Sequence, residues 1–151
     1  MDYLKKIESW KREGKKIVFT NGCFDIIHAG HVDYLKKAKE LGDILVVGLN
    51  SDESIRRIKG KDRPVNIQEH RKIVLEALKP VDLVIIFDED TPEKLIKEIK
   101  PDFLVKGGDW KIENIVGADF VQSYGGKVVT IDFVHDISTT RIIQKVKNGT
   151  R

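Results

Sequence analysis

The densest cluster of reactive side chains lies at residues 20–31, T-N-G-C-F-D-I-I-H-A-G-H. It holds two of the chain's four histidines, His28 and His31. Residues three apart share one face of a helix, so both imidazoles face the same way if a helix begins there. A helix start also offers backbone N–H groups without intrahelical partners and the positive end of the helix dipole. Two imidazoles beside it make a pocket suited to phosphate oxygens. Gly30 between them lets a ligand come close to the backbone. Two other readings stand beside this one. The histidines can be incidental to a surface turn. Cys23, His28 and His31 can instead ligate zinc, although the sequence offers no evident fourth ligand or C-x-x-C partner.

Further candidates follow other apolar segments. Asn50, Ser51 and Asp52 come after the run 44–49 and suit helix capping as well as ligand contact. Lys59-Gly60-Lys61 lies in a basic stretch, 56–63, that reads as a loop ending at Pro64. It is either a cationic flap or a solvated loop. Arg71, four residues into a helix, reads on its own as a surface arginine. Lys106-Gly107-Gly108-Asp109-Trp110 closes another apolar run. Its glycine pair permits close backbone approach to a base or sugar, and Trp110 can stack on a ring; a tight turn with a packing tryptophan explains the same residues. Ile137-Ser138-Thr139-Thr140 opens the last helix. Hydroxyls at a helix start suit phosphate, Ser138 also suits a plain N-cap, and the two roles can coexist.

The elements that must hold these groups follow from periodicity. Tyr3, Leu4, Ile7 and Trp10 have helical spacing within 2–13. Strands are predicted at 16–20, 44–49, 82–87, 102–106 and 127–132. Between them the spacing predicts helices over 30–41, a short one from 52, one over 67–78 with Ile67, Arg71, Val74 and Leu78 along one side, and one near 117–124. Thr91 is predicted to cap another helix with Pro92 in its first position, and a last helix starts at Ser138. Strands alternating with helices, and strands that are near-continuous Val/Ile/Leu runs, imply a buried parallel sheet. The expected fold is α/β, a Rossmann-like open parallel sheet of about five strands with helices on both faces, in a single domain. Residues 1–14 read as an N-terminal helical extension and 15–151 as the domain proper. Such sheets bind ligands beyond the carboxyl ends of their strands.

Composition narrows the class. At 151 residues and 40% apolar, the chain suits one domain and is too apolar to be disordered. No apolar run approaches the roughly 18 residues of a membrane span. The first residues lack the apolar core of a secretory signal, and the lone Cys23 cannot form an internal disulfide, so a cytoplasmic protein is expected, away from membranes. A net charge of +3, from 27 basic and 24 acidic residues, is too small to argue for nucleic acid.

The residues now named carry a resemblance. His28 to His31, in their setting, resemble the H-x-G-H signature of the cytidylyltransferase-like nucleotidyltransferase superfamily. Ile137 to Thr140 resemble its second signature, in the expected order and spacing. The resemblance covers about residues 15–147. Residues 50–65, 88–92 (D-E-D-T-P) and 101–110 (P-D-F-L-V-K-G-G-D-W) are similar to the adenylyltransferase domain of bacterial ADP-heptose synthesis. That resemblance implies a nucleotidyltransferase domain over 15–151. It implies transfer of AMP from ATP to a heptose 1-phosphate, giving pyrophosphate and ADP-heptose for the lipopolysaccharide core. It also implies Mg²⁺ bridging phosphate oxygens and a homodimer. In many bacteria this domain is fused behind a sugar kinase; this chain resembles a stand-alone version that works after a separate heptose kinase.

Residue by residue, the resemblance puts His28 and His31 at the α- and β-phosphates, and Lys59 and Lys61 over the triphosphate and the attacking group. Arg71 adds charge. Thr20, Asn21, Gly22, Phe24, Gly107, Gly108, Asp109 and Trp110 fall around the nucleotide, Ser138, Thr139 and Thr140 around phosphate, and Asn50 and Asp52 near the acceptor. The pattern departs at Phe133-Val134-His135-Asp136, where glycerol-3-phosphate cytidylyltransferases carry an arginine and a glycine. This speaks against a cytidylyltransferase. Glycerol-3-phosphate cytidylyltransferase, FMN adenylyltransferase and a non-catalytic nucleotide-binding regulatory module stand as alternatives.

Overall fold

The computed structural model describes residues 2–132 and 138–149. Residues 133–137, where the departure and Ile137 of the second signature fall, lie outside it. The chain runs α1 (Tyr3–Arg12), β1 (Ile17–Gly22), α2 (Ala29–Glu40), β2 (Ile44–Asn50), α3 (Asp52–Lys59), α4 (Gln68–Glu76), β3 (Leu83–Phe87), α5 (Glu93–Ile99) and β4 (Phe103–Gly107). A 3₁₀ turn (Ile112–Asn114), α6 (Ala118–Ser123), β5 (Lys127–Ile131) and α7 (Thr139–Lys147) follow. The strands form one sheet in the order β3-β2-β1-β4-β5, and each pairing is parallel. This is the expected Rossmann-like single α/β domain. No helix among the described residues is long and apolar enough to cross a membrane.

Strand parity builds two apolar layers. Successive side chains point to opposite faces. Ile17, Phe19, Ile44, Val46 and Leu104 therefore join Ile7 of α1, Leu95, Ile96 and Ile99 of α5, and Ala118 and Val121 of α6. Val18, Leu45, Val47, Leu49 and Val105 join Tyr34, Leu35 and Ala38 of α2 and Leu75 of α4. The all-buried β2 explains Gly48: a Cβ there would lie 2.8 Å from the Phe19 ring.

The order of the strands opens the crevice. β1 pairs with β2 over six positions but with β4 over only two, Val18 with Phe103 and Phe19 with Leu104. At the next position the Thr20 hydroxyl donates to Val105 O at 3.0 Å and lies 2.8 Å from the Tyr34 hydroxyl. Beyond Thr20, β1 and β4 have no ladder partners in each other. That is the switch point in strand order, where open parallel sheets receive ligands.

Four local expectations change. β1 continues through Asn21 and Gly22, which pair with Gly48 and Leu49 of β2. Arg56 to Lys59 are the last turn of α3, not loop, because Ser51 caps the helix firmly (Ser54 N donates to Ser51 Oγ at 3.2 Å) and Gly60, at φ +98°, ends it. Pro92 stands at the N-cap of α5 rather than inside it, and the Glu93 N–H reaches Thr91 Oγ1 at 3.5 Å. In α4 the inward side carries Arg71 and Leu75, while Ile67 and Val74 are exposed.

Arg71 is therefore no surface residue: it is 1% exposed. Its Nε donates to Asn66 O at 2.9 Å, Nη1 to both Cys23 O and Asn50 O at 2.8 Å, and Nη2 to Asp52 Oδ1 at 2.7 Å. Beside it the Asp25 carboxylate, also buried, accepts from Val65 N at 2.8 Å and Asn66 N at 2.8 Å, and Asn66 Nδ2 returns a bond to Asp25 O at 2.8 Å. One guanidinium thus ties the loops after β1 and β2 to the segment leading into α4. Replacing it by an apolar side chain orphans three carbonyls and a carboxylate. Arg71→Met is expected to lower unfolding free energy by roughly 3–5 kcal/mol, the cost of breaking a buried pair from one side, as measured by urea denaturation.

Candidate functional site

The loops after four strands close a cavity of about 590 Å³. β1 contributes Asn21, Gly22, Cys23 and Phe24, β2 Asn50, β3 Asp90, Thr91 and Pro92, and β4 Lys106, Gly107, Asp109 and Trp110. His31 and Tyr34 of α2, Ile58 and Lys59 of α3, and Val116 complete the wall.

The histidines are built into the start of α2 in a way the sequence does not reveal. His28 is its N-cap, and its Nδ1 accepts from Gly30 N at 3.1 Å. His31 reaches back, and its Nδ1 accepts from His28 N at 3.3 Å. The pair forms a reciprocal capping box of imidazoles. Two of the N–H groups expected to be open to phosphate are therefore taken by the rings. An Nδ1 that accepts carries no proton, so each neutral ring holds its proton on Nε2. The ring centroids lie 3.9 Å apart, with planes 31° apart, and Phe24 packs on His31 at 5.3 Å. Phe24 takes a left-handed backbone, φ +45°.

Electrostatics keep both rings neutral at pH 7. Burial, then His28 and Lys59 nearby, holds His31 well below its ordinary 6.5, at about 4. Burial also lowers His28. His31 on the cavity wall, and His28 stacked on it at the start of α2, therefore each keep a polarised Nε2–H donor. Burial likewise lowers Lys106 and raises the Cys23 thiol against the pull of Lys59 and Arg71.

The other anticipated residues divide into two groups. Asn21, Gly22, Phe24, Asn50, Lys59, Gly107, Asp109 and Trp110 line the cavity with His31. Lys61 is exposed beyond the end of α3. Thr20 is spent inside the sheet, and Asp52 and Arg71 on one another. The place of a Gly108 side chain is filled by Asp132, whose Oδ1 would lie 1.8 Å from an added Cβ. At α7, Ser138 Oγ accepts from Arg141 N at 3.1 Å, Thr139 Oγ1 donates to Ile26 O at 3.0 Å, and Thr140 Oγ1 accepts from Arg63 Nη2 at 3.1 Å. Ser138 thus caps α7, while the Thr139 and Thr140 hydroxyls fasten it to the loop carrying His28 and to the basic loop.

Sequence reasoning passed over Lys106 as a site residue, along with Tyr34, Ile58, Asp90 and Val116. For Lys106 a signal existed: a lysine inside F-L-V-K-G is a charge in a strand otherwise fit for burial. Asp25 and Asn66 carried no such signal, because their partners are backbone groups distant in the chain. Among the described residues no group of three or more His, Cys, Asp or Glu side chains could hold a metal ion. The Nδ1 atoms of the histidine pair are committed to backbone.

Comparison with known proteins identifies the family and the fold. The family model described as cytidylyltransferase-like matches residues 19–145. The chain is 57% identical over 141 residues to the bifunctional protein HldE of Alcanivorax borkumensis, covering 93% of this chain and 30% of that one. It is 58% identical over 140 residues to the protein of the same name from Geobacter metallireducens, covering 93% and 29%. It thus spans under a third of the length of these curated relatives. Among solved structures, the lipopolysaccharide core biosynthesis protein of Thermoplasma volcanium aligns with a TM-score of 0.65 at 33% identity, over 82% of this chain and 100% of that one. Pantothenate synthetase of Thermus thermophilus, at 14% identity and a TM-score of 0.60 over 84% of this chain and 61% of that one, shares the fold. With a model matching from β1 into α7 over the histidine pair and the crevice beside it, the chain belongs to the cytidylyltransferase-like family.

Proposed function

We propose that the chain transfers AMP from ATP to the phosphate of a heptose 1-phosphate, releasing pyrophosphate and forming ADP-heptose. The observation that carries this reading is the imidazole pair whose Nε2–H donors are set by backbone hydrogen bonds beside a cavity with Lys59 on its wall. An oxygen of the sugar phosphate attacks the α-phosphorus, a new P–O bond forms, and the bond to the α,β-bridging oxygen breaks. The electron pair leaves with pyrophosphate. The nucleophile is already an anion, so no protein base is required. The difficulty is bringing two anions together, and the remedy is fixed donors and positive charge.

In this reading His28 and His31 donate to the α- and β-phosphates, and Lys59 and Lys61 lie over the triphosphate. Phe24, Asp109 and Trp110 hold the nucleoside. A Mg²⁺ ion bound with the triphosphate would supply charge neutralisation there, with Asp90 and Asp109 the carboxylates on the wall to hold it. So few carboxylates suit an ion bound mainly by phosphate and water. The names of the relatives support the reading: the HldE proteins are called bifunctional, and this chain matches about 30% of one. The second activity, a kinase that makes the sugar 1-phosphate, belongs on this reading to another polypeptide or segment, and the working unit is a homodimer.

The test supplies purified protein with Mg²⁺, a panel of nucleoside triphosphates and a panel of phosphorylated acceptors, including heptose 1-phosphate, glycerol 3-phosphate and FMN. Mass spectrometry identifies the product. ATP with heptose 1-phosphate is expected to release pyrophosphate fastest; preference for another pair refutes the assignment. His28→Asn keeps an N-cap acceptor but removes the outer donor. Its turnover is expected to fall about 10²–10³-fold, the effect of one lost oxyanion donor, with thermal stability near that of the parent. The His31 shift predicts a pH effect. The unfolded chain takes up this proton near 6.5 and the folded chain only near 4, so stability present above 6.5 is lost as pH falls through that window. The Tm of the parent should therefore fall more steeply across it than that of His31→Asn.

A further inference from the structure

Lys106 stands apart from the cations considered so far. It lies in β4 between buried Val105 and Gly107, its stem is shielded, and its ammonium faces the cavity. Among the described residues its ammonium makes no hydrogen bond and no ion pair. Trp110 lies 5.6 Å away, ammonium to ring centroid, and Asp109 and Cys23 act on it only at longer range. A shielded ammonium without an anion is costly, and pairing recovers that cost. Across the crevice, at the end of β1, the Asn21 side-chain oxygen is also buried and has no donor. Lys106 and Asn21 thus line the same cavity from adjacent strands, one with an unpaired ammonium and the other with a buried oxygen that lacks a donor.

Parity separates this corner from the histidines. Lys106 shares the strand face of Leu104, the side covered by α1, α5 and α6, whereas α2, which carries His31, covers the opposite side. In-line displacement places the attacking group and the departing pyrophosphate on opposite sides of the α-phosphorus. We propose that Lys106 anchors the phosphate of the acceptor substrate. This rests on the adenylyltransferase reading, and it gives the acceptor a corner of the cavity distinct from the triphosphate's.

The experiment compares Lys106→Met and Lys106→Arg with the parent. Losing one charge-assisted hydrogen bond is expected to raise the KM for heptose 1-phosphate roughly 10- to 100-fold in Lys106→Met. Lys106→Arg should recover most of that loss. The Kd of α,β-methylene-ATP, by calorimetry, should stay within about twofold of the parent. A fall in analogue affinity as large as the rise in acceptor KM, or an unchanged acceptor KM, overturns the proposal. A readout independent of turnover uses protein labelled with ¹³C at lysine Cε. Inorganic phosphate should move the Lys106 resonance and raise its titration point, and methylene-ATP should not. If the parent fails to use heptose 1-phosphate yet phosphate still moves Lys106, the function assignment fails and the anion anchor survives. No response of Lys106 to phosphate rejects the anchor itself.

Discussion

A single buried guanidinium sets the geometry on which the cavity depends. Parallel strands deliver their loops to one edge of the sheet, but nothing in the sheet specifies how those loops sit relative to one another. Arg71 supplies that specification by donating to the carbonyls of Cys23, Asn50 and Asn66 and to the Asp52 carboxylate. Its planar fork suits such a role better than a lysine's point charge, because four acceptors in different directions must be met at once. The chain after β1, the end of β2 and the entry to α4 are thereby registered against one another before any ligand arrives. Asp25 extends the same network to Val65 and Asn66.

The histidine pair works within that frame by combining two tasks. Each ring satisfies a backbone N–H at the start of α2, and each keeps its far nitrogen as a donor. The backbone thus determines the tautomer. Because both rings are shifted toward neutrality by burial, the site relies on aimed dipoles rather than standing charge on the imidazoles. Donors fixed beforehand need no reorganisation when charge develops on a phosphate oxygen.

Much of the architecture was legible. Alternating apolar runs and helical spacings identified five strands and their parallel arrangement, because a two-sided sheet demands near-continuous Val/Ile/Leu. The His28–His31 spacing and the glycine pair at the end of β4 located the ends of the strands that meet at the crevice. Other features were not legible. Arg71 reads as a surface residue because its acceptors are main-chain oxygens, which look the same at every position. The last turn of α3 was hidden by its basic residues, whose charge mimics a solvated loop although Lys and Arg are good helix formers. The hydroxyls of Thr139 and Thr140 suggested phosphate but meet Ile26 O and Arg63, contacts that bring together segments more than seventy residues apart. Lys106 stood in view as a charge in an apolar strand, and the lack of a partner among the described residues gives that signal its meaning.

The short ladder between β1 and β4 makes Thr20 a hinge-pin for cleft depth. Its hydroxyl occupies the point where the two strands stop sharing hydrogen bonds, answering Val105 O and the Tyr34 hydroxyl together. A valine of nearly the same shape would leave both groups without that oxygen, so one atom decides how far the crack between the strands descends into the apolar interior. This polar bolt is fully buried within the sheet, next to Tyr34 of the cavity wall and beside the apolar core.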